Sequence, residues 1–66
     1  MIVKTRLPNI RLQNYLMSKK DFSKMIDVNE QQYCRYEQYS LPSLPVALKI
    51  SRALNLTVNE IWQIED

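Results

Sequence analysis

Apolar positions in this 66-residue chain recur at helical spacing in short stretches, and small polar residues introduce most of them. Ser18, with Asp21 three residues on, precedes KKDFSKMI, where Phe22 and Ile26 lie four apart. Asn29 with Gln32 introduces EQQYCRYEQ, and Thr57 with Glu60 introduces VNEIWQI, in which Val58, Ile61 and Trp62 follow the same period. Side-chain oxygens at such positions accept from the backbone amides that a first helical turn leaves free. Ser43 precedes LPVALKISRALN, where Leu44, Leu48, Ser51 and Leu54 keep the period and Pro45 sits in the first turn without costing a hydrogen bond. A first helix is expected from Pro8 or Asn9 to Met17, with Ile10, Gln13, Asn14 and Met17 on one side. The pattern predicts five helices around one core, an all-α fold.

Only MIVKTRL alternates like a strand, with Met1, Val3, Thr5 and Leu7 against Ile2, Lys4 and Arg6. Residues 1–7 are therefore expected as an N-terminal arm, or as a strand pairing across a dimer, ahead of a helical domain over 8–66. Between the second and third helices only Asp27, Val28 and Asn29 remain, the spacing of a helix-turn-helix. In that arrangement the second helix of the pair presents its first turns to the major groove of DNA.

Composition narrows the chemistry. At 45% apolar and 24% charged the chain falls in the globular range. So short a domain buries a small share of its surface, and a second copy would help it. It has no His and no Gly, so a neutral-pH proton shuttle, a Cys–His pair and a glycine-rich phosphate cradle are all missing, and no enzyme, cofactor or metal site is expected. Cys34 is a small side chain or a thiol that Arg35 can activate. No apolar run reaches membrane length and the start lacks the pattern of a secretion signal, so a cytoplasmic protein is expected. Net charge is +2, but residues 1–35 hold seven basic groups against three acidic ones, while the remainder is net acidic. The basic half suits a polyanion.

Residues 17–62, MSKKDFSKMIDVNEQQYCRYEQYSLPSLPVALKISRALNLTVNEIW, resemble the Cro/repressor-type helix-turn-helix domains of phage repressors and related bacterial regulators. The helix pair ending in Glu37 and the stretch PSLPVALKISRALNLTVNEIW carry the likeness. The resemblance implies a compact five-helix, lambda-repressor-like domain whose third helix reads DNA, working as a homodimer on an operator with two half-sites. It places Glu30, Gln31 and Gln32 at base edges and Arg35 one turn further on the same face; glutamine suits adenine N6 and N7, and Glu30 suits cytosine N4. It places Lys19, with Lys20 beside it, and the capping Asn29 at phosphates, and makes Tyr33 and Tyr36 replacements for buried aliphatics.

Several positions depart from the family pattern. Asp27, Tyr39 and Asn55 stand where relatives have glycine. Arg11 is the nearest candidate to pair with Glu37 but lies one residue out of phase, which implies a longer first turn or another partner for Glu37. The loop QYSLPSLP has no Lys or Arg, leaving Tyr39, Ser40 and the amides of the fourth helix to hold phosphate there, with Lys4 and Arg6 adding arm contacts. Lys49 and Arg52 face solvent, and Ile61 and Trp62 belong to the core or to a dimer contact. A competing reading keeps the fold but not the DNA: an antirepressor or antitoxin-like module docking a protein through exposed Tyr33, Tyr36 and Tyr39 beside Arg35. Inward tyrosines favour DNA, exposed ones a protein.

Overall fold

A computed structural model describes residues 2–65 and sets a short terminal sheet against five helices. Strand β1 (Ile2–Thr5) leads into α1 (Leu7–Asn9), which continues as a π-helix over Ile10–Tyr15. Then follow α2 (Lys19–Met25), α3 (Glu30–Gln38), α4 (Leu44–Leu54), α5 (Val58–Ile61) and β2 (Trp62–Glu65). Met1 and Asp66, the outer limits of the expected arm and helical domain, lie outside the described residues.

The expected helix starts use their caps with one exception. Ser18 accepts from the Asp21 amide, Asn29 from those of Gln31 and Gln32, and Thr57 and Glu60 form a reciprocal capping box. Ser43 stands at the start of α4 but its side chain makes no capping bond. At the other ends, Asp27 (φ 59°) and Asn55 (φ 56°) take the left-handed backbone expected where relatives use glycine. Beyond them the Val28 and Leu56 amides reach back to the Ser23 and Ser51 carbonyls, closing the helices as a Schellman motif does. Tyr39 is different. Its φ is −150°, so no left-handed residue is needed after α3.

Three expectations change. The N-terminal stretch is a strand, but it pairs inside the chain, antiparallel to β2 with Ile2 opposite Glu65 and Thr5 opposite Trp62. Lys4 and Arg6 therefore sit in and just after a strand rather than on a free arm. The fifth helix ends at Ile61, because Trp-Gln-Ile-Glu alternates apolar and polar residues and Trp62 is already extended. The buried side of α4 is Ala47, Ile50 and Leu54, while Leu44 and Leu48 are exposed. Two apolar stripes on that helix share Leu54, and spacing alone does not choose between them.

The first helix also turns differently. Its buried residues are Leu7, Ile10 and Arg11, with Gln13 and Asn14 in solvent. A π-helix closes i to i+5 and so packs one more residue into the turn, bringing Ile10 and Tyr15 onto the core side. The Leu16 amide closes that turn on the Arg11 carbonyl, and Leu16 itself takes φ 54° with its side chain in solvent.

The core joins these elements: Leu7, Ile10, Phe22, Ile26, Tyr33, Tyr36, Ile50, Leu54, Ile61 and Trp62 form one buried cluster with Ala47. Phe22 stands between Tyr15 and Tyr33, with ring centroids 5.5 and 5.4 Å away in tilted and edge arrangements that aromatic quadrupoles favour. The Arg6 amide donates to the Ile61 carbonyl at 2.8 Å, locking the end of β1 to α5. Among the described residues no helix is long and apolar enough to cross a membrane.

Candidate nucleic-acid interface

Helix α3 is fixed by what it buries. Tyr33 and Tyr36 point into the core, Tyr33 with no exposed surface, so the remaining sides of the helix are committed outward. Glu30, Gln31 and Arg35 are exposed and Gln32 is half-buried. Gln31 and Arg35 are one helical turn apart and share a face. Arg35 Nη1 donates to Gln32 Oε1 at 3.5 Å, a long contact that a base edge or phosphate can replace. The Asn29 Oδ1 is occupied by its two capping bonds at 2.9 and 3.3 Å, leaving its amide group as the free donor. Cys34 is half-buried, a free thiol three residues past Gln31.

Orientation of α3 against the two preceding helices comes from one carboxylate. Arg11 Nε donates to Glu37 Oε2 at 2.9 Å, and Arg11 Nη1 donates to the Met17 carbonyl, also at 2.9 Å. The Tyr33 hydroxyl donates to the same Glu37 oxygen, and Lys19 Nζ stands 4.0 Å from the other. Hydrogen bonding to Glu37 raises the Arg11 guanidinium above its ordinary value although burial opposes it. Burial pushes the Tyr33 phenol upward, and the hydrogen bond to Glu37 and its negative charge add to the rise. Of the two parts of the Arg11 expectation, the longer turn is the one that occurs. The extra residue between Arg11 and α2 is absorbed by the π-helix, and Arg11 still meets Glu37. The role of Tyr33 in this network went unread, although its spacing of four from Glu37 on one helix was a signal.

The expected phosphate contacts are differently placed. Lys20 is exposed on α2, whereas Lys19 is half-buried and drawn toward Glu37. Lys24, exposed one turn beyond Lys20, adds a cation that sequence reasoning did not single out. Tyr39 is exposed and Ser40 half-buried, but both backbone amides donate to the Arg35 carbonyl at 2.9 Å, so only their hydroxyls remain to meet a phosphate. At α4 the Ser43 side chain leaves the first amides free. Lys4 and Arg6 are not gathered with these groups. Lys4 shares a hollow with Glu37 and Gln38 at the far end of α3 from Glu30, and Arg6 Nη1 donates to the Glu60 carbonyl at 3.3 Å. Lys49, expected in solvent, is exposed and stands 3.4 Å from the exposed Asp27 carboxylate.

The arrangement therefore offers polar side chains on the first turns of α3, cations on α2 and a rigid seat for both. Nothing in it resembles a nucleophile with its base. Curated proteins give no match to this chain. A family model described as helix-turn-helix matches residues 9–61, well over half of the sequence and spanning all five helices apart from the first turn. The chain belongs to the Cro/C1-type helix-turn-helix family, a non-enzymatic family of DNA-binding domains.

Proposed function

We propose that the protein is a sequence-specific transcriptional repressor of the phage or mobile-element kind, acting in the cytoplasm as a homodimer that blocks a promoter by occupying an operator of two half-sites. Glu30, Gln31, Gln32 and Arg35 read base edges. Lys20, Asn29 and the hydroxyls of Tyr39 and Ser40 hold phosphate, with Lys19 divided between phosphate and Glu37. The observation that carries this reading is the burial of Tyr33 and Tyr36, which leaves Gln31 and Arg35 exposed and Gln32 half-exposed on a helix seated by Arg11 and Glu37. The same burial removes two of the three tyrosines on which a protein-docking surface would depend. Selection of bound fragments from random DNA at moderate salt tests it. A two-fold symmetric motif, with half-sites about 34–36 Å apart, is the expected result. Recovery of no enriched sequence overturns it.

A further inference from the structure

Gln32 and Glu60 hold the same position after their helix caps, yet their side chains turn opposite ways. Glu60 Oε1 reaches back to accept from the Thr57 amide and completes a reciprocal box, whereas Gln32 Oε1 accepts from Arg35 Nη1, further along the helix, at 3.5 Å. A guanidinium only donates, so the amide oxygen is the atom that must face it. The main chain beneath both residues is held. The backbone amide of Gln32 donates to Asn29 Oδ1 at 3.3 Å, and the Arg35 carbonyl accepts from the Tyr39 and Ser40 amides at 2.9 Å. Each residue is followed by a buried tyrosine, Tyr33 or Tyr36. Exposure divides the two: Gln32 is half-buried, and Arg35 stands in solvent.

We infer that Gln32 is a positioning residue and that Arg35, braced by it, reads a guanine, resting on the proposal above that the first turns of α3 face base edges. The chain contains a parallel arrangement. Arg11 gives Nη1 to the Met17 carbonyl and meets both oxygens of Glu37 with Nε and Nη2, at 2.9 and 3.5 Å. In Arg35 Nη1 is likewise engaged by a carbonyl oxygen, which leaves the edge formed by Nε and Nη2 whole. Parallel donors on that edge match a pair of neighbouring acceptors, and among the bases only guanine offers such a pair in the major groove, N7 with O6. Adenine sets its N6 donor beside N7 and opposes half of the fork. A phosphate also accepts in pairs, but Arg35 shares its face with the exposed Gln31, one turn nearer the helix start, while the exposed cations Lys20 and Lys24 stand on α2. An arginine side chain gives up rotamer freedom on binding, and a neighbour that holds it beforehand removes part of that cost. With its oxygen turned to Arg35, Gln32 leaves the paired contact with adenine to Gln31.

Equilibrium binding to the selected fragment and to single-base variants of it provides the test. A guanine is expected at one motif position, where Arg35→Ala should lower the preference for guanine over adenine by about tenfold or more. Replacing that guanine with its deaza analogue, which lacks N7, should weaken the wild type similarly and leave Arg35→Ala unaffected. Gln32→Ala should reduce the guanine preference about two- to tenfold at this same position, with little further loss when it is added to Arg35→Ala. Gln32→Glu, which keeps an acceptor for Arg35, should retain the preference although its charge lowers affinity for every sequence. General destabilisation would lower affinity without changing the ratio between bases, so that ratio isolates positioning. A motif in which Arg35→Ala relaxes no guanine, as for a phosphate contact, overturns the assignment and leaves the repressor reading intact. So does a Gln32→Ala protein that relaxes no position or a different one. Recovery of no enriched motif overturns both.

Discussion

Arg11 and Glu37, 26 positions apart, meet through an Nε–Oε2 hydrogen bond of 2.9 Å with side chains only 10% and 5% exposed. The contact ties the π-helical turn to the last turn of α3. Desolvating two charges is costly, and what offsets the cost is the set of further donors around them: the Met17 carbonyl takes a second guanidinium proton, while Tyr33 and Lys19 serve the carboxylate. Removing one partner leaves the other charge buried with too little compensation. Arg11→Ala is expected to lower stability by about 3–5 kcal/mol, read as a fall in the urea midpoint with an unchanged slope. Adding Glu37→Ala to it should cost much less than the sum of the two single changes. Strict additivity would show that the pair contributes nothing.

Much of this architecture was legible in the residues, and the failures have identifiable causes. Caps are local chemistry, and Ser18, Asn29 and Thr57 bind where the sequence places them. Asp27 and Asn55 are left-handed because each stands where the chain must reverse. Arg11 was seen to be out of phase, but the sequence does not say whether a turn widens or a partner changes. That choice is tertiary, made by the hydrogen bonds that Arg11 and Glu37 form with each other, Met17 and Tyr33, set against the weaker bonding of a π turn. Likewise VNEIWQI fits a helix by period until β1 offers Trp62 and its neighbours a ladder. The expected α4 stripe fails at Leu44 and Leu48 for a related reason: both are as apolar as the residues that won the core. In α3 the burial of Tyr33 and Tyr36 is what the family resemblance implied, whereas the diversion of Lys19 toward Glu37 depends on a contact no local pattern encodes.

Tyr33 makes the domain sensitive to alkali. Its phenol titrates above the ordinary value of 10.0 in the folded chain, because burial and Glu37 disfavour the phenolate. The folded state therefore keeps a proton that the unfolded chain releases. The stabilisation is complete below about pH 10 and is lost as pH rises above it toward the folded value. Chemical denaturation at increasing pH should show stability falling from about pH 10 upward. Tyr33→Phe should flatten that fall. Near neutral pH the same variant should be less stable by about 1–3 kcal/mol, since Glu37 loses a buried donor. An identical alkaline profile in Tyr33→Phe would assign the sensitivity elsewhere.

Leu16 is held at φ 54°, ψ 41° although its side chain is 84% exposed and contributes little burial. A left-handed conformation costs a non-glycine residue about 1–2 kcal/mol. Part of that gain is returned when glycine replaces it, because glycine has more freedom to lose on folding. Leu16→Gly is expected to raise stability by about 0.5–1 kcal/mol, measurable as a higher thermal midpoint. Leu16→Val, branched at the position that clashes, should lower it. The opposite order would mean that the leucine side chain makes a contact worth more than the strain.

Base reading and phosphate holding separate in their dependence on sequence and salt. Gln31 is exposed on the first turn of α3 with its backbone amide already used by Asn29, so its side chain is free to meet a base edge. Gln31→Ala is expected to cost about 1–3 kcal/mol against the preferred fragment and to relax preference at one position of the motif. Lys20, exposed on α2, meets only the backbone in this docking. Lys20→Ala should weaken preferred and random DNA alike and make the slope of log affinity against log salt shallower by about one. It is a cleaner probe than Lys19, whose ammonium also serves Glu37 and whose loss would mix binding with stability. Equilibrium binding of each variant to both DNAs at several salt concentrations decides the matter. If Gln31→Ala reduced both affinities equally, or Lys20→Ala changed the sequence preference, α3 would not enter the groove by its first turns.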